Sequence, residues 1–433
     1  MWSHSWAVKV LRAIIPHMRA NQHGTPVPEQ PLRRSLSLPL VTFYGLGNIL
    51  GAGIYVLIGK VVGEAGLYAP LSFLLAALLA SLTAFTYAEL SARFPLSAGE
   101  AIYVREGLGI RWLPSLIGIL IILAGVVSAA TIMKGFTGYL QVFVPLPAET
   151  VIPLMVLLLG GLAAWGITES VTIAALVTVV EMAGLLLIIG IAAPGMAAAT
   201  SHAADLPSLA DTTVLTGVMM GAFLAFYAFI GFEDMVNVAE EVRHPERNLP
   251  RAILLALLIS SALYLLVSLA AITSLPAERL AAADAPLAAL YQSVTGREPV
   301  LITLISMFAV VNGALIQIIM ASRVCYGMAR QHWLPACFGQ VYPRTQTPVM
   351  ATFTVGVLVL LAALWFPIET LAKATSFFLL VVFALVNLSL WRLKRRHVTE
   401  TYDAFRVPCW VPATGFLASI VFVVLQAILE LAG

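Results

Sequence analysis

Three apolar stretches of this chain hold residues that can bind or move charge. Phe43 to Val56 carries Gly45, Gly47, Gly51 and Gly53 around Asn48. Ala225 to Asp234 carries Gly231 and closes on Glu233-Asp234, and Thr178 to Leu185 encloses Glu181. Glycine permits a helix to break, and irregular backbone at membrane depth is tolerated only where it lines a cavity or is buried in protein. A broken helix leaves unpaired N–H groups at one half-helix start and unpaired carbonyls at the other half-helix end. The first attract a carboxylate and the second an ammonium group. A zwitterionic α-amino acid supplies both charges, and glycine lets it approach the backbone closely. Paired interruptions in corresponding halves point to a transporter's substrate site. The alternative role for these glycines is close helix packing.

An ionisable group inside a bilayer is costly and is a functional candidate by default. Glu181 and Glu233 are accordingly the proton-coupling candidates. The alternatives are a cation-binding or structural ion-pair role for Glu181, and a capping role for Glu233. Lys134 reads as a side chain that snorkels to the interface, with pairing to Glu181 or Glu233 as the alternative.

The elements that must position these groups are membrane helices. The chain has 433 residues, of which 60% are hydrophobic and 11% charged. Soluble domains carry roughly 25% charged residues. Apolar runs predict about eleven spans, near 39–62, 69–92, 113–141, 149–167, 170–193, 212–241, 250–274, 298–324, 349–366, 370–391 and 410–431, each close to the ~20 residues needed to cross. Most of the 24 lysines and arginines fall in the N-terminal tail or in alternate loops. The positive-inside rule then places the N-terminus in the cytoplasm. Cys325, Cys337 and Cys409 fall near that face, where a reducing compartment and an odd count argue against disulfides.

The organisation follows. Residues 1–37 form a cytoplasmic tail without a signal peptide. It reads as disordered, with an interfacial helix around Trp2, Trp6, Val10 and Ile14 as the alternative. Residues 38–193 form one five-helix repeat, 194–211 an external linker and 212–392 a second repeat. Residues 393–433 hold a cytoplasmic loop and a peripheral eleventh helix. An odd number of spans per unit inverts the second repeat, so the glycine-broken spans one and six occupy equivalent positions.

Four segments together then resemble the amino acid–polyamine–organocation transporters, over roughly residues 38–392. Gly47-Asn48-Ile49-Leu50-Gly51-Ala52-Gly53-Ile54-Tyr55 resembles their first-span signature, and Ala225 to Arg251 their sixth span and following loop. Tyr87-Ala88-Glu89-Leu90, with Phe94-Pro95 and Gly99 to Tyr103, resembles the second span and its loop. Ala321 to Arg330, with Leu334-Pro335 and Thr347-Pro348, resembles the end of span eight. The resemblance implies an all-α membrane protein of the leucine-transporter fold, built as a 5+5 inverted repeat with broken helices 1 and 6.

It also implies a site. Backbone N–H groups of Gly51-Ala52-Gly53 hold the substrate carboxylate, and the carbonyls of Ile49, Tyr227 and Ile230 hold the amine. Gly125, Ser128 and Ala129 line the side-chain pocket, and Phe229 or Phe232 closes it from outside. Toward the cytoplasm, Glu89 anchors inner loops through Arg93 or Arg323. Glu240, Glu241, Arg243 and Arg247 read as an inner-gate network, with a merely solvated loop as the alternative.

Span eight offers only Thr303, Ser306, Asn312 and Gln317 as polar side chains between 303 and 320, with no adjacent hydroxyl pair for sodium. The expectation is a secondary active transporter of an amino acid or related amine in the cell inner membrane, coupled to protons by symport. Exchange or export is the alternative, and a non-transporting amino acid sensor a further one. No cofactor, metal site, phosphate loop or nucleic-acid partner is expected, and no enzyme activity. The partners are a small-molecule substrate and the lipid bilayer; oligomeric state is unread.

Overall fold

The computed structural model describes residues 32–144, 146–199, 208–283, 285–396 and 405–432. The tail up to residue 31, and with it the Trp2–Ile14 segment, lies outside the described residues.

Eleven apolar helices follow the expected order. They are α1 (Leu38–Ala65), α2 (Ala69–Arg93), α4 (Leu113–Phe143), α5 (Ala148–Trp165), α6 (Ile167–Ala199), α7 (Thr212–Tyr227), α8 (Pro245–Ser274), α11 (Val300–Arg330), α12 (Val349–Trp365), α13 (Ile368–Arg395) and α14 (Trp410–Ala432). Among the described residues, eight helices are long and apolar enough to cross a membrane, and three apolar helices are shorter. Proline in the first turn starts α1, α2, α4 and α8, where its missing N–H has no helical partner to lose. Short helices α3 (Gly99–Leu108), α9 (Ala277–Ala282) and α10 (Pro286–Thr295) fill two of the loops. Helix α6 runs on to Ala199, into the linker expected from 194.

Large apolar side chains point outward, among them Leu157 (74% exposed) and Phe353 (67%). In water such a surface would drive aggregation; against lipid tails it is matched. Small and aromatic residues fill the centre, where α1, α8 and α11 are packed on most sides. Helix α14 packs on α13 and α2, outside the two repeats.

The two glycine segments differ. The second is broken: α7 stops at Tyr227, residues 228–232 turn, and a 3-10 segment follows at Glu233–Glu241. The first is not, because α1 runs unbroken through Gly51-Ala52-Gly53. This corrects the expected break in helix 1. Glycine in a helix interior costs only about 1 kcal/mol relative to alanine. Unpaired backbone groups in hydrocarbon cost several times that, so the helix stays closed unless side chains take over its hydrogen bonds. At the second segment they do.

Candidate functional site

The break exposes backbone groups, and three side chains claim them. Glu233 Oε2 accepts from Gly231 N–H at 2.7 Å. Asn48 Nδ2, from α1, donates to Gly231 O at 3.1 Å. Tyr264 Oη, from α8, donates to Ala228 O at 2.9 Å and to Ile49 O at 2.7 Å. Gly231 sits at φ +131°, and a Cβ there would lie 2.8 Å from Asn48 Nδ2 and 3.0 Å from Ile49 N. Glycine is required on both counts. Gly53 likewise faces the break, its Cβ position 2.9 Å from Ala228 Cα. The two glycine stretches therefore meet, at Gly231 with Asn48-Ile49 and at Ala228 with Gly53.

Beside this contact lies a buried polar cluster drawn from three elements. Asp234 Oδ2 accepts from Asn48 Nδ2 at 2.5 Å and from Gln317 Nε2, on α11, at 2.8 Å. Gln317 Nε2 also donates to Asn48 Oδ1 at 3.2 Å. Gln317 Oε1 lies 3.3 Å from where a Gly125 Cβ would stand, so α4 borders the cluster too. Helices from both halves thus converge on one carboxylate with two amides. Asn48, Asp234, Gln317 and Tyr264 are absent from the site read out of the sequence. The available signal was polarity: each is a polar side chain in an apolar run. What hid them is distance along the chain: 186 residues separate Asn48 from Asp234, 83 separate Gln317 from Asp234 and 269 separate Gln317 from Asn48.

The expected substrate groups divide. The backbone of Gly51-Ala52-Gly53 is helical, and Gly51 faces the backbone of Ala309 and Gly313 on α11, in the manner of packing. Ile49 O is held by Tyr264, and Tyr227 O accepts from Ile230 N–H at 3.3 Å. Among the described residues no hydrogen bond reaches Ile230 O. Gly125 packs on Met320, Ala321 and Gln317. Ala129 is buried and Ser128 half-buried on the same helix. Phe229 packs edge-on to Tyr264, with ring centroids 5.0 Å apart. Phe232 packs instead on Tyr87 and Phe383, each 5.7 Å away. Tyr87 precedes Glu89 near the end of α2, so Phe232 lies toward the basic end of the bundle, opposite to the outer gate expected for it.

A second polar cluster surrounds Glu181, which is fully buried. Asn312 Nδ2, from α11, donates to Glu181 Oε1 at 3.0 Å and to Thr178 Oγ1 at 3.1 Å. Thr178 Oγ1 reaches Phe43 O on α1 at 3.2 Å, and Tyr55 Oη donates to Glu181 O at 2.9 Å. Gly47 faces Thr178 and Asn312 at distances that leave no room for a side chain. Glu181 Oε2 and Asn312 Oδ1 have no partner. Lys134 is half-buried and makes no ion pair among the described residues.

The basic end is closed by charge. Arg323 and Glu241, both fully buried, pair through Nη2–Oε1 at 3.2 Å and Nε–Oε2 at 3.3 Å. Glu240 accepts from Ser97 N–H at 3.0 Å and from Tyr326 Oη at 3.4 Å. Glu89 accepts from Arg93, from Lys394 at 2.8 Å and from Val407 N–H at 2.7 Å. Arg323 is therefore the partner of Glu241 and not of Glu89. Arg243 and Arg247 are exposed and pair with neither glutamate. Segments flanking the two repeats' first helices are also clasped, by Leu36 N–H to Glu241 O at 2.9 Å and Arg243 N–H to Leu36 O at 2.8 Å.

A family model described as amino acid permease matches residues 36–432. The chain is 31% identical over 415 residues to the vacuolar cationic amino acid transporter 2 of Arabidopsis thaliana, covering 90% of this chain and 64% of that one. It thus spans a little under two thirds of that relative's length. It is 28% identical to the branched-chain amino acid permease BcaP of Bacillus subtilis, over 88% of this chain and 85% of that one. It is also 28% identical to the methylthioribose transporter of Bacillus subtilis, over 90% and 87%. In fold it is similar to a solved Na+-coupled sialic acid symporter, with a TM-score of 0.57 at 14% identity over 89% of each chain.

Proposed function

Because this chain belongs to the amino acid permease family, we propose that it is a secondary active amino acid transporter working by alternating access. The observation that carries the reading is the meeting of the two glycine stretches beside Asn48, Asp234 and Gln317 at the centre of the bundle. A cluster built from both halves changes shape when the halves move. Its carbonyls and its carboxylate suit an ammonium group, and Ile230 O is open to receive one.

The basic end faces the cytoplasm on this reading, in the cell inner membrane, and Arg323–Glu241 holds its gate shut. Protons are the coupling ion. Glu181 is the preferred carrier, because its Oε2 has no partner and it touches α1 and α11 at once. Glu233 serves as a carrier of lesser weight, since its carboxylate already caps Gly231. That capping is also what favours the second reading, exchange of one amino acid or amine for another.

The deciding experiment is uptake of a radiolabelled amino acid panel into proteoliposomes, with and without an imposed pH gradient. Accumulation driven by the gradient supports proton symport and identifies the substrate class. Uptake only into preloaded vesicles supports exchange. No movement of any amino acid in either format refutes the proposal.

A further inference from the structure

Six buried side-chain polar atoms among the described residues lack a hydrogen-bond partner. Two belong to the Glu181 cluster. The other four are Tyr87 Oη on α2, Ser97 Oγ just before α3, and Glu100 Oε2 and Tyr103 Oη on α3. Leaving one buried polar atom unpaired costs roughly 1–3 kcal/mol, more for a charged one. Of the four, Glu100 is the one that carries a charge when ionised.

The frame around Glu100 is specific. Asn237 Oδ1 accepts from Gly99 N–H at 3.2 Å, while its Nδ2 donates to Glu100 Oε1 at 3.2 Å. Tyr103 Oη lies 3.0 Å from the Cβ position of Gly99. Tyr87 packs edge-on against Tyr103, at 6.2 Å between centroids, and against Phe232 at 5.7 Å. An aromatic stack therefore runs from the helix break to Glu100. Glu100 itself is 1% exposed.

Among the described residues no cation pairs with it. Arg105, on the same helix, turns to Glu106, Gln331 and the ring of Trp333. Arg93 and Lys394 are held by Glu89, and Arg323 by Glu241. The 3-10 segment presents Glu233, Asp234 and Glu240, and α2 presents Tyr87. Helix α13 brings Ser389 against Gly107. An ionised Glu100 would be a buried anion with Asp234 nearby and no counter-charge, whereas a protonated one is neutral.

We infer that Glu100 is a proton-holding group at the cytoplasmic gate, tied to the 3-10 segment through Asn237 and bordered by the Tyr87–Tyr103 pair. The proton rests on Oε2 while the gate is shut. When the 3-10 segment swings away, Glu100 loses the Asn237 amide, meets water, and gives the proton to the cytoplasm. This rests on the transporter reading and adds an exit group separate from Glu181 and Glu233. Burial pushes the Glu100 carboxyl up to about 8, reinforced by nearby Asp234 and opposed by its backbone and Asn237 hydrogen bonds.

Infrared difference titration of the purified full chain tests the site without any substrate. A protonated-carboxyl band should be present at neutral pH, vanish as pH rises past about 8, and be absent in Glu100→Gln. Identical spectra for the two proteins overturn the inference. Should Glu100→Gln fail to fold, Glu100→Asp keeps a carboxyl and must shift the band, and an unshifted band overturns it equally. In proteoliposomes, Glu100→Gln should retain exchange of the panel amino acids and lose gradient-driven accumulation. The band without any wild-type transport upholds the proton site and sinks the transporter reading. Wild-type transport without the band upholds the transporter reading and sinks this one.

Discussion

Replacing Glu241 by glutamine leaves the fully buried Arg323 guanidinium without its counter-charge, while Ser322 Oγ still accepts from it at 3.0 Å. Breaking a buried ion pair by removing one partner costs about 3–5 kcal/mol. If opening the gate hydrates Arg323, that cost falls on the closed state alone. About 3 kcal/mol then moves the closed-to-open ratio roughly a hundredfold, at about 1.4 kcal/mol per tenfold. Cys325 is the natural reporter, because it lies two residues beyond Arg323 on α11 and is only 5% exposed. With Cys337 and Cys409 changed to serine, a membrane-impermeant maleimide should label Cys325 of Glu241→Gln faster by roughly that factor. The double variant Glu241→Gln/Arg323→Gln removes the orphaned charge and should bring the rate back toward the parent. An unchanged labelling rate in a folded Glu241→Gln protein would show that the pair does not hold the gate.

Other expectations follow from the same geometry. Gly231→Ala combines a strained φ with a contact to Asn48 backbone, so it should lower the thermal midpoint and abolish uptake, read by melting and proteoliposome assays. Asn48→Ala or Gln317→Ala should keep the fold and lose amino acid uptake; normal uptake in both would remove the central cluster from the substrate site. Glu89→Gln should destabilise by about 2 kcal/mol, below the full buried-pair value because its partners are partly solvated, seen as a lower melting temperature. Glu100 sets a pH dependence of stability. Its folded pKa, near 8, stands above the ordinary carboxyl value of 4.5, so its contribution is complete below about 4.5 and is lost as pH rises through 8. The slope between these is at most about 1.4 kcal/mol per pH unit, and Glu100→Gln should flatten the melting-temperature profile across that window.

The helices were legible because hydropathy and proline punctuation act locally. The break after Tyr227 was legible as well, since Gly231 with two adjacent acids fits poorly inside a lipid-facing helix. The continuity of α1 was not, because Gly51-Ala52-Gly53 reads the same whether it breaks a helix or lets one approach α11. What separates the cases is whether remote side chains take over the freed backbone bonds, and that depends on Glu233, Asn48 and Tyr264 together. Arg323 shows the same limit: Glu89 and Glu241 are equally plausible partners in one dimension, and only the fold chooses. Gln317 stood out as polar but was weighed for sodium alone, because nothing in sequence ties it to Asp234.

The clasp between Leu36 and the Glu241–Arg243 turn joins the entry to α1 with the exit from the 3-10 segment by two backbone hydrogen bonds. Two segments so joined are expected to move as one lever. On the transporter reading proposed above, an inner gate built on them would have a single hinge coordinate where separate helices would have two. Backbone bonds depend little on side-chain identity, so this mechanical linkage survives point substitutions that disable the charges around it. A proline at Leu36 or at Arg243 removes one of the two donors, so cutting the linkage fully takes both.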